Sequence, residues 1–324
     1  MVSKTVLETM RDYIQTVRLA RSQHTARTYQ NGLSLFLETL TEHQIDCHTA
    51  EAGEIPEEAI VWFATRLKDH APTTERLYLT AATGYFEYLV AENLVNLNLP
   101  RVRMLIRQRA RRPGIRLPQF PVDAITQILE ALLSPANPAL TGSERLIELR
   151  DRAFLVTLAD TGLRVHEACN LRRGDMDWTE GKAMIIGKGD RQDIIRFSAR
   201  SLKLLQEYLR ARAALDGATH KPLITLPLFA RHDKGAGTKV IAITTITGRN
   251  IVTARVAAIL GQEAVGTITP HSFRHYFVTR ILKRTNNLKL AQSLARHRNI
   301  AVTQRYAHLA DLELDEGYTR AIED

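Results

Sequence analysis

The stretch from Lys182 to Phe197, KAMIIGKGDRQDIIRF, interrupts a chain whose remaining pattern is mostly helical. Two short β-prone runs flank the segment Gly187 to Arg191, within which Gly189-Asp190 is a good pair for a tight turn. The stretch therefore predicts a β-hairpin with basic residues at its tip. Apolar residues recur at helical spacing on both sides of it, so we expect a mainly α chain with a small β-hairpin or sheet.

Toward the N-terminus, the first hundred residues indicate a bundle of four short helices. A weak opening helix is expected near residues 3–18, and a third begins at Pro56, a residue suited to a first helical turn. Thr73 or Thr74 can cap a fourth, with Leu77 among its buried residues. The second helix carries one clear apolar stripe of 3.6-residue period, formed by Tyr29, Leu33, Phe36, Leu37 and Leu40.

The stretch from Arg101 to Arg116, RVRMLIRQRARRPGIR, contains seven arginines and no acidic residue. It follows Pro100 and is interrupted by Pro113-Gly114, which predicts an exposed linker over residues 101–117 at a domain boundary. The linker is either merely solvated or a strap across a phosphate backbone. We favour the strap, because unopposed arginines repel one another unless an anion lies nearby. The candidate DNA-binding residues are Arg101, Arg103, Arg107, Arg109, Arg111 and Arg112, with Arg191 at the hairpin tip.

Composition limits the class of protein. The chain has 324 residues, which suits two domains, with 44% hydrophobic and 24% charged residues as in globular proteins. A net charge of +9 favours a polyanionic partner. No apolar stretch approaches the roughly 20 residues of a membrane span and no secretion signal is recognised, so we expect a cytoplasmic protein with no membrane partner. Cys47 and Cys169 form neither a disulfide framework nor a CxxC pair.

In the mixed second part of the chain, Ser143 can cap a helix that stops at Thr161-Gly162. After the hairpin, helices are expected near 200–213, 244–260, 270–284, 287–296 and 300–309, with a last one after Leu312.

Four local signals in this second part could carry chemistry. Thr161-Gly162 ends one helix and delivers Arg164 to the start of another, where an anion would be favoured; the alternative is a surface arginine paired with Glu167 or Glu148. Lys188 at the hairpin tip either donates a proton to a leaving oxygen or is simply solvated. The other two signals are the HSFRH stretch from His271 to His275, which includes Arg274, and the stretch from His297 to Tyr306.

His271 and His275 have the i, i+4 spacing of a zinc pair. A HExxH metallohydrolase would need glutamate where the chain has Ser272, and no cluster supplies a third ligand nearby. We therefore expect no metal and no cofactor. His271 and Arg274, three residues apart on one helical face, could instead contact one phosphate. Tyr306 alone would be interpreted as an ordinary residue at the edge of a core.

The order and spacing of these signals resemble the tyrosine recombinase family, also called the phage-integrase or Xer-like family. TGLRxxEaxxL, a GKGxkxR-like hairpin, HxxRH and H(x8)Y all fall within the 143 residues from 164 to 306. The resemblance implies an N-terminal four-helix, SAM-like core-binding domain over residues 1–100. It further implies a mixed α+β catalytic domain over residues 118–324, closing with a helix over 311–324 that is exchanged between subunits; the alternative is that this helix docks on its own domain.

By that resemblance the chain is a site-specific DNA strand-exchange enzyme that forms a 3′-phosphotyrosyl intermediate. Arg164 and Arg274 would bind the nonbridging oxygens of the scissile phosphate, with hydrogen bonds from His271 and His297. Lys188 would protonate the departing 5′ oxygen and Tyr306 would attack the phosphorus. Glu167 would hold the arginines in place. The implied partners are double-stranded DNA at a specific recombination site, a homotetramer on two sites, and accessory DNA-bending proteins.

One position departs from the family pattern. Family members commonly have Leu-Gly-His where this chain has Ala295-Arg296-His297. If the backbone there is left-handed, arginine costs about 1 kcal/mol relative to glycine. Arg296 could instead bring an extra cation to the phosphate, and we expect Arg296→Gly to leave cleavage intact.

Two other functions remain open at this stage. A type IB topoisomerase-like relaxer shares the nucleophile but needs no partner site. A non-catalytic DNA-binding regulator would need only the positive charge and the C-shaped clamp of two domains around DNA that the resemblance implies. The sequence does not reveal the target site, or whether the outcome is integration, excision or dimer resolution.

Overall fold

The computed structural model describes residues 4–111, 121–186 and 192–297, together with Thr303. The chain divides into two compact units, Met1–Ile115 and Arg116–Asp324. The expected fold class, mainly helical with one small antiparallel sheet, is confirmed. No helix in the described ranges is long and apolar enough to cross a membrane.

The described part of the N-terminal unit contains five helices, one more than the sequence predicted. Thr5 caps the first through a hydrogen bond from the backbone N–H of Glu8 to its hydroxyl, which meets one of the donors that a helix start leaves unpaired. Phe36 lies at the centre of the core, with its ring edge-on to Phe63 and Phe86 at 5.2 and 5.8 Å between centroids. The helices are α1 (Val6–Ala20), α2 (Gln23–Glu42), α3 (Ala59–Arg66), α4 (Pro72–Ala91) and α5 (Leu99–Arg109).

Two details of the predicted bundle are wrong. Helix α4 begins at Pro72, whose ring already fixes a helical φ, so Thr73 and Thr74 lie inside the first turn and cap nothing. Leu77, expected on the buried side, is 40% exposed. The apolar stripe of α2 is confirmed at its centre, where Leu33, Phe36 and Leu40 are fully buried.

Residues 101–111 are not the exposed linker that the sequence predicted. Asn98 caps α5 by accepting the backbone N–H of Arg101, and Val102 on the inner face is fully buried in the N-terminal core. Leu105 and Ile106 pack against the same core, which gives the apolar spacing of an amphipathic helix. The arginines masked this short pattern in the sequence. Residues 112–117 of the predicted linker lie outside the described residues.

Three arginines of this stretch, Arg101, Arg103 and Arg111, are opposed by acidic residues of the same unit. Arg101 contacts Glu57 at 2.5 Å and Glu58 at 2.9 Å, and Arg103 contacts Glu87 at 2.6 Å. Just beyond the helix, Arg111 contacts the fully buried Glu75 at 2.5 Å, and Lys68 contacts the same carboxylate at 2.7 Å. The premise on which the strap was favoured over a solvated linker is therefore wrong for Arg101, Arg103 and Arg111.

The C-terminal unit is built around α7, most of which is buried from Leu149 onward. This helix begins at Gly142 after an N-cap at Thr141, one residue before the predicted cap at Ser143. The helices expected near 200–213, 244–260, 270–284 and 287–296 are confirmed. The helices of the unit are α6 (Val122–Leu133), α7 (Gly142–Thr161), α8 (Val165–Asn170), α9 (Ala199–Ala211), α10 (Ala213–Ala218), α11 (Thr245–Leu260), α12 (Pro270–Thr285) and α13 (Leu288–Ala295).

The predicted hairpin is confirmed in its two strands, β2 (Lys182–Ile186) and β3 (Gln192–Arg196), and a two-residue strand, β1 (Met176–Asp177), adds a third. The order is β1-β2-β3, antiparallel throughout, with Met184 opposite Ile194. Alternate residues face the core, as the pleat requires. The hairpin tip, residues 187–191, lies outside the described residues, so its two basic candidates Lys188 and Arg191 keep only their sequence-based roles.

Candidate active site

The first part of the site is the turn between α7 and α8. Gly162 ends α7 with φ 62° and ψ 21°, a left-handed conformation that glycine adopts without steric cost, and a Cβ there would clash with the ring of Phe277. Arg164 then forms the N-cap of α8. Its backbone N–H donates to the Glu167 carboxylate at 2.8 Å, and its Nη1 donates to the same group at 2.9 Å.

That pairing answers one alternative left open by the sequence. Arg164 does pair with Glu167, whereas Glu148 pairs with Arg255 at 2.6 Å. The Arg164 side chain is nevertheless 46% exposed, while Glu167 is buried. The Glu167 carboxylate therefore holds the Arg164 guanidinium through Nη1, and the other N–H groups of that guanidinium are open to a ligand.

The second part of the site is the start of α12. Pro270 occupies the first turn, and Thr269 and Ser272 form a capping box. Arg274 follows one turn later on the inner face and is only 2% exposed. Its Nη1 donates to the Gly162 carbonyl and its Nη2 to the Ala295 carbonyl, so one guanidinium bridges the end of α7 and the end of α13.

Arg274 is thus placed differently from Arg164. The carbonyl of Ala295 lies at a helix C-terminus, where the helix dipole favours a cation. Arg274 lies behind the exposed Arg164 and holds separate segments together. His271, in the first turn of α12, is exposed, and its ring lies edge-on to that of His275 at 4.3 Å between centroids.

The third part of the site follows α13. The backbone N–H of His297 donates to the Gln292 carbonyl, and the Gln292 side chain donates back to the His297 carbonyl at 3.1 Å. Nδ1 of His297 lies 2.8 Å from the hydroxyl of Thr303, which is fully buried. Sequence reasoning missed Thr303, since a threonine six residues after a histidine is not a pattern by itself.

The charges of the site are unbalanced toward the positive side. Burial, followed by Arg164 and Arg296, lowers the pKa of Arg274 to about 9, which still leaves it protonated at neutral pH. Burial, followed by Arg274 and Arg164, lowers the pKa of His297 to about 4. The same three causes lower the pKa of His271. Both histidines are therefore neutral at pH 7 and can donate or accept hydrogen bonds without adding charge.

Arg296 has the left-handed backbone that the sequence raised as a condition, with φ 56° and ψ 43°. Its Nη2 contacts the Glu167 carboxylate at 3.0 Å, and both side chains are buried. Burial would raise the pKa of Glu167, but Arg296 and then Arg164 more than offset it, so that pKa is lowered. We call Arg164 and Arg296, which both contact Glu167, together with Arg274, whose charge acts on theirs, the cation cluster.

The structure thus brings together five of the predicted site residues: Arg164, Glu167, His271, Arg274 and His297. The predicted nucleophile Tyr306 lies outside the described residues, as do Lys188, Arg112 and Arg191. No group of three or more histidine, cysteine or acidic side chains that could hold a metal occurs among the residues the structure describes. The absence of a metal and of a cofactor from the reaction stays a prediction.

Comparison with known proteins agrees with this geometry. Residues 122–313, more than half of the chain, match the model of the phage integrase family, and residues 10–93 match the phage integrase N-terminal SAM-like domain. Tyrosine recombinase XerC of Staphylococcus aureus strain MRSA252 is 27% identical over 313 residues, covering 95% of this chain and 94% of the relative.

Solved structures share the fold. XerH site-specific recombinase bound to a palindromic difH substrate aligns with a TM-score of 0.68 and 21% identity, over 91% of this chain and 79% of that one. The Tn1549 transposon integrase in complex with transposon right end DNA aligns with a TM-score of 0.65 and 18% identity, over 99% and 100%. The chain belongs to the phage integrase family.

Proposed function

We propose that this protein is a site-specific tyrosine recombinase that cleaves and rejoins DNA strands through a 3′-phosphotyrosyl intermediate. The observation that carries the proposal is the convergence of two guanidiniums and two neutral histidines from three separate segments of one unit. A phosphodiester is anionic and repels nucleophiles, so such a group of donors suits the neutralisation that its cleavage requires.

The two arginines have donors to spare for a phosphate. A guanidinium carries five N–H donors. Among the described residues, Arg274 uses two of them on carbonyls and Arg164 uses one on Glu167. Arg164, the more exposed of the two, makes the main contact with a nonbridging oxygen, and Arg274 contributes its charge and remaining donors from behind.

The histidines take complementary roles. When Nδ1 of His297 accepts a hydrogen bond from the Thr303 hydroxyl, the ring proton lies on Nε2. Nε2–H then donates a hydrogen bond to a phosphate oxygen. His271 is neutral and exposed, so it can accept the proton that the nucleophile loses. An anionic phosphate between the arginines offsets their repulsion and raises the pKa of both histidines, which helps His271 to accept a proton.

The chemical step uses two residues assigned by sequence. The Tyr306 oxygen attacks phosphorus as its proton passes to His271, and a phosphorus–oxygen bond to the tyrosine forms. The bond from phosphorus to the 5′ oxygen breaks, and Lys188 gives that oxygen a proton. A 5′ hydroxyl from another strand reverses these bond changes, so the ester energy is conserved and no nucleotide cofactor is consumed.

The DNA partner is double-stranded DNA at a specific recombination site. Among the predicted linker arginines, Arg107 is exposed and Arg109 half-buried, and no carboxylate of the described chain pairs with either, which makes them the first candidates for phosphate contacts. Arg101, Arg103 and Arg111 contact DNA only after exchanging their carboxylate partners. We retain Arg112 and Arg191 on the sequence argument alone.

The assembly is a homotetramer on two DNA sites. The segment 311–324, which carries the acidic residues of the chain's end, joins subunits, and accessory DNA-bending proteins are further partners. The protein acts in the cytoplasm. These four statements extend the resemblance to Xer-like recombinases, and they are independent of the geometry of the cation cluster.

The test is covalent capture. A pool of nicked duplexes with randomised arms is incubated with the protein, adducts that survive denaturation are isolated, and their DNA is sequenced to define a site. We expect an adduct from the wild type and none from Tyr306→Phe. Binding without an adduct would indicate a regulator, and an adduct with relaxation but no exchange between two marked duplexes would indicate a topoisomerase-like enzyme.

A further inference from the structure

We propose that Arg296 is a positioning residue of the strand-cleavage site, which orients Arg164 through Glu167 and sets the turn that delivers His297. The inference rests on the proposed recombinase function, and it revises the sequence-based expectation that Arg296→Gly leaves cleavage intact.

The Glu167 carboxylate is shared by Arg164 and Arg296. One Glu167 oxygen accepts both the Arg164 backbone N–H at 2.8 Å and the Arg296 Nη2 at 3.0 Å, while the other accepts the Arg164 Nη1 at 2.9 Å. Arg296 and Glu167 are 129 positions apart and both are buried. The contact therefore pins the end of α13 to the start of α8.

Arg296 also shapes the backbone of the turn that ends α13. The Arg296 N–H donates to the Ser293 carbonyl and the His297 N–H to the Gln292 carbonyl, so the left-handed residue closes α13 and aims the next residue away from the helix axis. The preceding carbonyl, that of Ala295, accepts from Arg274. Three successive residues are thus tied to Arg274, to Glu167 and, through His297, to Thr303.

The substitution Arg296→Gly would remove the contact with Glu167. Glycine would keep the left-handed backbone but would remove the guanidinium that, among the described residues, reaches Glu167 from the end of α13. The carboxylate would then hold Arg164 without an opposing contact, and the Arg164 fork could tilt away from the phosphate. Because reaction rates fall steeply with small errors in alignment, a loss of rate is expected without a loss of fold.

The contact between Arg296 and Glu167 is made by one hydrogen bond. Nε of Arg296 is buried and has no acceptor among the described residues, so the contact depends on a single N–H of Nη2. A lysine ammonium can offer one donor to one carboxylate oxygen, although it lacks the planar fork. Arg296→Lys should therefore recover part of what Arg296→Gly loses.

The experiment measures single-turnover adduct formation on the nicked duplex selected from the randomised pool, at saturating protein. We expect Arg296→Gly to be slower by about tenfold or more, with DNA affinity unchanged. Relief of the left-handed residue and loss of the buried contact with Glu167 act on the melting temperature in opposite directions, so the adduct rate is the readout. The rate of Arg296→Lys should lie between those of the wild type and Arg296→Gly. Asn286→Gly, which relieves another left-handed residue at the end of α12, should keep the wild-type rate.

A double-mutant cycle with Glu167→Gln tests the route of the effect. If Arg296 acts through Glu167, Arg296→Gly adds little to Glu167→Gln, both in adduct rate and in melting temperature. An unchanged rate in Arg296→Gly, or full additivity with Glu167→Gln, overturns the inference while the wild-type adduct still supports the recombinase. A wild type that forms no adduct overturns both.

Discussion

The arginines of α5 and those of the cation cluster face opposite electrostatic surroundings. Around α5, Arg101, Arg103 and Arg111 are met by four carboxylates of the N-terminal unit: Glu57, Glu58, Glu75 and Glu87. In the cation cluster, Glu167 is the one carboxylate among the described residues; it contacts Arg164 and Arg296, while Arg274 donates only to carbonyls. The first group is locally neutral and the second carries excess positive charge before any ligand binds.

The difference teaches that arginine density in a sequence does not measure cation availability. The stretch from Arg101 to Arg116 contains seven arginines and no acid. The carboxylates that oppose three of these arginines lie on α4 and just before α3. The cation cluster was assembled from single arginines that look ordinary in isolation. The proposed site lies where repulsion between cations is left uncompensated, and an anionic phosphate would gain most there.

The largest expected effect comes from Arg274→Lys. Lysine keeps the charge but cannot bridge the Gly162 and Ala295 carbonyls while also facing a phosphate. We expect adduct formation to fall by about 10²–10³-fold, as when a preorganised donor is removed from an active site. Single-turnover capture on the selected nicked duplex measures it. The matched change Arg103→Lys, in the neutralised group, should leave the rate within twofold or so of wild type; equal losses would break the comparison.

The next effect is structural and concerns the neutralised group. Glu75 is fully buried between Lys68 and Arg111, each about a third exposed. Glu75→Gln leaves both cations without their anion, and we expect the unfolding free energy of the N-terminal unit to fall by about 2 kcal/mol, discounted because water reaches the cations. Urea denaturation measures it. Glu87→Gln, in an exposed pair with Arg103, should cost less than about 1 kcal/mol. A similar cost for both variants would show that burial of the pair is unimportant.

A third prediction tests crowding by cations at another place in the C-terminal unit. Burial, followed by Arg150 and Arg212, lowers the pKa of His232 to about 4, against the opposing effect of Asp233. In the unfolded chain His232 binds a proton near pH 6.5, whereas in the folded chain it stays neutral down to about pH 4. The free energy of unfolding therefore falls as the pH drops from 6.5 to 4 and levels off below pH 4.

We expect His232→Gln to flatten the fall in melting temperature over that pH range, apart from a constant offset caused by loss of the 2.7 Å contact between His232 and Tyr208. The exposed His24→Gln serves as the control and should keep the wild-type slope. A parallel slope in His232→Gln would show that its burial beside the two arginines does not control the titration.

The smallest effect concerns DNA affinity. Arg107 has no carboxylate partner among the described residues, whereas Arg101 has two. Arg107→Gln should reduce the slope of log affinity against log salt by about 1, and Arg101→Gln should reduce it by less. Filter binding to the selected duplex at four salt concentrations measures both. The reverse order would show that the α5 carboxylates release their arginines when DNA binds.

Much of the fold follows from local pattern. The hairpin strands, the Thr161-Gly162 stop of α7 and the helices of the C-terminal unit are encoded by turn residues and apolar spacing within short windows. Helix α5 was missed because Val102, Leu105 and Ile106 stand among arginines, and its stability depends on carboxylates far away in the sequence. Leu77 was misplaced because spacing alone does not tell which side of a helix finds a partner.

The site divides in the same way. Motif order predicted Arg164, Glu167, His271, Arg274 and His297, each from a recognisable local context, and the structure brings these five together. It did not give the bridging role of Arg274, whose two acceptors lie 112 and 21 positions away. Nor did it pair Arg296 with Glu167, because such contacts depend on how segments pack and not on their sequence.

The tether made by Arg274 also has a consequence for the chain during its own synthesis. Both acceptors of that guanidinium are main-chain carbonyls at helix ends, so they reach it only after α7, α12 and α13 have docked. On the proposed function, an incompletely folded molecule would have no assembled phosphate site. Strand cleavage would thereby be withheld until the domain has acquired its native packing.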